Sequence, residues 1–229
     1  MTRQHLIFDA DDTLWENNIY FEHAFDDFCE FLNHSSMTPA EIRAALDEIE
    51  IANNRIHGYG ALNFGHNLSH CYQRLAERGV ADGDLDVVMS YARRILECPM
   101  ELIEGVAETI PVLAESHELT IFTKGHSEEQ TLKIDRSGLR PWFQHCEIVK
   151  EKNEEAYLLL AKDRGFNLRD TWMIGNSPKS DVNPALAAGM RAVYVPHPRT
   201  WGLEQEPVDE SHPCLVTVER FTSLKALFA

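Results

Sequence analysis

The sequence predicts an α/β protein: a Rossmann-like core, with a parallel sheet covered by helices on both faces, and a helical domain inserted after the first strand. Three observations lead there. Short apolar runs bounded by turn residues recur along the chain, the pattern of buried strands. Helical patterns separate the later runs, and alternating strand and helix implies parallel strands buried on both faces. Between the first and second runs lie roughly a hundred residues, far more than one crossover connection requires.

The first strand is read at 5–9, where Leu6-Ile7-Phe8 runs into Asp9. The insert is assigned to 17–98. Its first helix carries Phe21, Phe25, Phe28 and Leu32 at i, i+4, i+7 and i+11, which is one helical face. Thr38-Pro39-Ala40-Glu41 opens a second helix, with Thr38 as cap, Pro39 in the first position and Glu41 closing a capping box. A third stripe comprises Leu68, Cys71, Tyr72 and Leu75, and a fourth Leu85, Val88, Met89, Ala92, Ile95 and Leu96. The core, 1–16 and 99–229, resumes with a helix from about Gly105, then strands at 119–123, 146–149, 171–175 and 192–196. A short helix at 184–188 stops at Gly189. The run at 215–218 follows a Pro-containing loop and is read as an edge strand.

The composition narrows the function classes. The chain has 229 residues, 44% apolar and 25% charged, which is ordinary for a globular protein. A net charge of −16 argues against a nucleic-acid backbone or an anionic membrane as partner. An anionic substrate would need a local cation to approach. Five scattered cysteines without a Cys-x-x-Cys pair suit reduced thiols rather than a disulfide framework or zinc site. No apolar run reaches the length of a membrane span, and a strand starting near residue 5 leaves no room for a secretory signal. A soluble, cytoplasmic protein is expected.

Four strand ends carry candidate chemistry. Asp9 and Asp11 follow the first strand, with Thr13 beyond them. Positions i and i+2 can point the same way, so the two carboxylates can share one metal and one substrate, one attacking while the other moves a proton. Thr123-Lys124-Gly125 ends the second strand, where a hydroxyl beside a glycine turn can donate to a phosphoryl oxygen. Lys150 and Lys152 follow the third; a cation there would stabilise transition-state charge. The fourth ends in Gly175-Asn176-Ser177-Pro178-Lys179-Ser180-Asp181, whose Asp181 could complete a hard-cation site with Asp9. Singly, each has a plain structural explanation: an acidic turn, a strand-ending Thr, a solvated Lys, an acid at a helix start. Together they fall, in order, where open parallel sheets bind ligands.

This order resembles the haloacid dehalogenase (HAD) superfamily of aspartate-nucleophile hydrolases. Asp9-Ala10-Asp11-Asp12-Thr13 is similar to its first motif, Thr123 to the second, Lys152 (or Lys150) to the third and residues 175–181 to the fourth. The insert resembles a type 1 helical cap. The resemblance implies a phosphatase in which Asp9 is the nucleophile and Asp11 the general acid and then base. It implies Mg²⁺ held by Asp9, Asp181 and the backbone carbonyl of Asp11, with Asn176 acting through its carbonyl or a bound water. Thr123, Lys124 and the lysine of the third motif, for which Lys152 has the better spacing to Tyr157, are expected on the phosphoryl oxygens. Two residues depart from the pattern. Asp12 stands where glycine is commonest, and Asp tolerates positive φ better than most residues. Asn176 stands where a second acid is frequent. Dehalogenase members resemble the fold but lack an acid at the position of Asp11, because halide leaves without a proton.

Substrate choice is expected in the insert. The polar, glycine-punctuated stretch 53–66 reads as a connecting loop, with Arg55 and His57 as its candidate substrate contacts. His57, His66 and His70 are not read as a transition-metal cluster. The expected partner is a small phosphorylated metabolite. The alternatives are a phosphomutase on the same scaffold, a receiver-type phosphoacceptor domain or an inactive binding protein.

Overall fold

The computed structural model describes residues 3–229. Six parallel strands form one sheet: β1 (His5–Phe8), β2 (Glu118–Lys124), β3 (His145–Val149), β4 (Thr171–Gly175), β5 (Arg191–Tyr194) and β6 (Leu215–Thr217), in the order β3-β2-β1-β4-β5-β6. The strand order reverses between β1 and β4, and the crevice at such a reversal is where doubly wound sheets bind ligands. Phe8 pairs with Ile121 of β2 and Ile174 of β4. The residues just beyond these three strand ends are thereby brought side by side.

The sheet is buried on both faces, and the strand side chains alternate between two cores. Leu6, Phe8, Leu119, Ile121, Trp172 and Ile174 belong to one core, which includes residues of α5 (Val106–Ser116). Ile7, Phe122 and Met173 belong to the other, with Tyr157, Leu160 and Ala161 of α7 (Glu154–Arg164). Near-continuous apolar strands are the consequence of this double burial.

By its contacts the chain divides into two compact units. One comprises the residues up to Asn18 together with Met100–Ala229, and the other Ile19–Pro99. The second unit is helical: α1 (Asn18–Leu32), α2 (Pro39–His57), α3 (Ala61–Leu75) and α4 (Asp84–Ile95). Its core gathers Phe28, Leu46, Leu68, Cys71, Tyr72 and Val88. The capping box at Thr38 is formed in both directions: Glu41 N–H donates to the Thr38 hydroxyl, and the Thr38 N–H donates to the Glu41 carboxylate at 2.8 Å.

Two elements differ from the sequence reading. Most of 53–66 is helix, and only residues 58–60 form the connection between α2 and α3. Gly58 (φ 78°) and Gly60 (φ 131°) make the turn in a region that favours glycine. The asparagines that made the stretch look loop-like instead bond helix to helix: Asn63 Nδ2 donates to Asn54 Oδ1 at 2.9 Å, and Asn53 Nδ2 to Asn67 Oδ1 at 2.8 Å. The helix expected at 184–188 also starts earlier. A π-helical turn, Pro178–Val182, runs straight into α8 (Asn183–Ala187). Among the described residues no helix is long and apolar enough to cross a membrane.

Candidate active site

Asp9 continues the pairing of β1 by one residue, its N–H donating to the Ile174 carbonyl at 2.9 Å. The backbone then turns sharply, and Leu14 N–H donates to the Ala10 carbonyl. Asp12 sits in this turn at φ 60°. Its carboxylate accepts from the backbone N–H groups of Asn17 (2.9 Å) and Asn18 (3.0 Å), at the start of α1. Burial pushes its carboxyl up to about 7, with the two amides opposing that rise.

Lys152 lies on the loop between β3 and α7 and is buried, whereas Lys150 is exposed. Its Nζ donates to Asp9 Oδ1 (2.5 Å), Asp181 Oδ1 (2.6 Å) and the Phe122 carbonyl (3.1 Å). An ammonium has three donors, and all three are engaged by the protein. Lys152 therefore holds the two carboxylates in place. Burial alone would depress its pKa, but Asp181 and Asp9 outweigh burial and raise it. One ammonium balances only one of the two carboxylates. Burial, reinforced by Asp9, accordingly raises the Asp181 carboxyl against the opposing effects of Lys152 and the Ser177 N–H.

Asp181 reaches this position through the π-helical turn. Asp181 N–H and Val182 N–H both donate to the Ser177 carbonyl, and Ser180 N–H donates to the Ser177 hydroxyl. Turns of this kind recur at functional sites. The Asp181 carboxylate lies directly over Gly175: a Cβ there would fall 2.2 Å from Asp181 Oδ2. Glycine is required at the end of β4 by this close approach.

Asn176 is locked between two threonines. Its Oδ1 and Asp9 Oδ2 both face the Thr13 hydroxyl, at 3.0 and 3.1 Å, and its Nδ2 donates to Thr200 Oγ1 at 2.8 Å. Any hold on a metal would use its remaining lone pair or a bound water. Lys124 also takes a different place from that expected. Its Nζ pairs with Glu204 (2.5 Å) and bonds Ser180 Oγ (2.9 Å). Glu204 accepts from Ser177 and Ser180 as well. A buried carboxylate requires such a cation, and Lys124 supplies it. Thr123 is buried, and its oxygen accepts from Gln130 Nε2 at 2.6 Å. That leaves its hydroxyl proton to donate elsewhere. Arg55 and His57 are exposed in the last turn of α2, in the second unit.

Sequence reasoning missed the surroundings of Asp11. Its carboxylate accepts from Trp15 Nε1 (2.8 Å), Lys133 Nζ (2.6 and 2.7 Å) and Gln130 Nε2 (3.1 Å). Gln130 and Lys133 lie on α6 (Ser127–Arg136). No spacing rule ties that helix to Asp11; only the four-residue offset of Trp15 was a local signal. His197 was missed too. With Asp12 and Glu16 it forms a second cluster whose potential ligand atoms lie within 4.8 Å of one another. Asp12 is already bonded there to two backbone amides, and the cluster shares no residue with Asp9 and Asp181.

A sequence model of the haloacid dehalogenase-like hydrolase family matches residues 6–195. The chain belongs to this family. A haloacid dehalogenase-like family hydrolase from Xanthomonas campestris is 29% identical and superposes with a TM-score of 0.85 over 99% of this chain and 94% of its own. The HAD-hydrolase YfnB of Bacillus subtilis is 28% identical over 109 residues, 45% of this chain and 46% of YfnB, so that match spans about half the length of either protein. A magnesium-bound crystal structure of YfnB shares the fold over the whole chain (TM-score 0.69, 19% identity, 100% and 99% coverage). So does a 2-haloacid dehalogenase from Pseudomonas syringae (TM-score 0.64, 16% identity, 99% and 98% coverage). The chain is thus a HAD-like hydrolase with the α/β fold of its relatives.

Proposed function

We propose that this hydrolase is a Mg²⁺-dependent phosphatase cleaving a small phosphate monoester through an aspartyl-phosphate on Asp9. The observation that carries the reading is the Asp11 carboxylate, two residues beyond a nucleophile candidate that Lys152 and Thr13 hold in place. A halide leaves as a stable anion, whereas an alkoxide needs a proton. An acid at this position therefore favours ester cleavage over the dehalogenation named for the Pseudomonas relative.

Asp9 attacks phosphorus, and the bond to the leaving oxygen breaks as Asp11 protonates that oxygen. Asp11 then takes a proton from water, which attacks phosphorus and breaks its bond to Asp9. A covalent carboxyl-phosphate divides one hard displacement into two, and the remaining catalysis is positioning and charge neutralisation. Thr123 donates its hydroxyl proton to a phosphoryl oxygen. Lys152 keeps Asp9 and Asp181 in register.

The residues present fit a divalent cation. Asp9 and Asp181 are both buried, and a single ammonium leaves one negative charge uncompensated among oxygen donors of the kind Mg²⁺ prefers. Asp9, Asp181 and the Asp11 backbone carbonyl would hold it, with Asn176 beside them; when bound it supplies positive charge to the phosphoryl oxygens. It also answers the problem that a net charge of −16 poses for an anionic substrate.

The test is phosphate release from a panel of sugar, polyol and glycolate phosphates, with and without Mg²⁺, for wild type and Asp9→Asn. Release that requires Mg²⁺ and is lost in Asp9→Asn is expected. Undiminished release by Asp9→Asn, or by protein stripped of metal with chelator, would refute the reading.

A further inference from the structure

We propose that Lys133, with Gln130 beside it, is a positioning residue that aims Asp11 at the leaving oxygen; this rests on the phosphatase reading above. Gln130 and Lys133 stand at i and i+3 on α6, which places them on one helical face. Lys133 Nζ spans both oxygens of Asp11 at 2.6 and 2.7 Å and also reaches Asn17 Oδ1 at 3.1 Å. Trp15 approaches Asp11 Oδ1 and Gln130 approaches Asp11 Oδ2. Three side chains from two segments far apart in the chain thus fix the rotation of one carboxylate. An ion pair as exposed as this one, with each side chain about a quarter accessible, contributes little to stability by itself. Its geometry is better explained by orientation.

Gln130 strengthens the case. It is buried, and its Nε2 faces three acceptors: Asp11 Oδ2, Thr123 Oγ1 at 2.6 Å and the Lys124 carbonyl at 3.0 Å. Its own Oε1 is buried without a partner. Leaving an acceptor unsatisfied is costly. Turning the amide over would set that oxygen against the Asp11 carboxylate and the Lys124 carbonyl, with only the Thr123 hydroxyl able to donate to it, which is worse. The amide is therefore committed to linking Asp11 with Thr123, the group that gives up the proton with the group that holds the phosphoryl oxygen. No motif contains either α6 residue.

Positioning of a general acid has a signature that a structural role lacks. The value of kcat/KM reports only steps up to the first irreversible one, here transfer to Asp9 with departure of the leaving group. p-Nitrophenolate leaves without a proton; an alkoxide does not. The experiment compares wild type, Lys133→Met and Lys133→Arg on p-nitrophenyl phosphate and on the alkyl ester that the wild type cleaves best in the sugar, polyol and glycolate panel, each with Mg²⁺. Lys133→Met is expected to lose about 100-fold in kcat/KM on the alkyl ester, the scale of a catalytic group misplaced by about 1 Å, and to change little on p-nitrophenyl phosphate. Lys133→Arg, which keeps the charge and the donors, is expected to recover most of the loss. Equal losses on both esters, with or without a lowered melting temperature, would overturn the inference, as would full alkyl-ester activity in Lys133→Met. A wild type that releases phosphate from neither ester would overturn the phosphatase reading, and this inference with it. Wild-type turnover with a non-selective Lys133→Met effect would overturn this inference alone.

Discussion

Lys150 and Lys152 show what a single position can decide. They are two residues apart after the same strand, and only burial separates them: Lys150 is exposed, while Lys152 is 5% exposed and bonded to two carboxylates. The sequence offers both because a lysine on a short loop can turn either way; the Asp9 and Asp181 carboxylates and the Phe122 carbonyl make the choice. Glu50 poses the complementary problem in the second unit. It is 5% exposed, pairs with Arg43, and burial raises its carboxyl to about 7 despite that cation. A carboxyl whose folded pKa lies above its ordinary value of 4.5 binds more protons in the native than in the unfolded state. Its contribution to stability therefore falls as pH rises from about 4.5 to about 7. Glu50→Gln does not titrate. The melting temperature of Glu50→Gln relative to wild type is predicted to be higher at pH 8 than at pH 5. A difference that shrinks with rising pH would mean that Arg43 outweighs burial.

At the scale of elements, the end of β4 and the π-helical turn are the most demanding construction in the core. Gly175 and Asp181 are in such contact that a methyl group would collide with the Asp181 oxygen, Cγ and Cβ together, at 2.2, 2.5 and 2.8 Å. Gly175→Ala is predicted to push Asp181 off Lys152. The expected loss in kcat is about 100-fold, with a stability cost of about 1–3 kcal/mol. Phosphate-release kinetics and thermal melts check both; a variant with wild-type kcat would show that Asp181 has room to move. The sequence placed a helix here but six residues late, because Pro184 and Gly189 announce the regular helix while Ser177 sets the π turn through backbone bonds. In the second unit, the stretch 53–66 reads as a loop by composition. Its asparagines are polar because they bond across two helices, a tertiary reason that single-chain patterns do not carry. The capping box at Thr38 was legible because all of its atoms lie within four residues.

On the scale of the whole molecule, the parallel sheet was legible because double burial imprints itself on each strand as an apolar run, and the order of the strand ends carried the family's motifs. Residues that act at a distance were not. Gln130, Lys133 and Glu204 are joined to Asp11 and Lys124 by the closure of the fold, and their sequence neighbours give no sign of it. Closure also pairs Lys124 with Glu204 and engages all three donors of Lys152. The central claim is that Asp9 carries the phosphoryl group. Its most direct test is a single turnover with the best ester and Mg²⁺, quenched in acid, followed by peptide mass spectrometry. A phosphoryl adduct on the peptide containing Asp9, absent in Asp9→Asn, is predicted; complete turnover with no adduct at any quench time, or an adduct on another residue, would contradict the account.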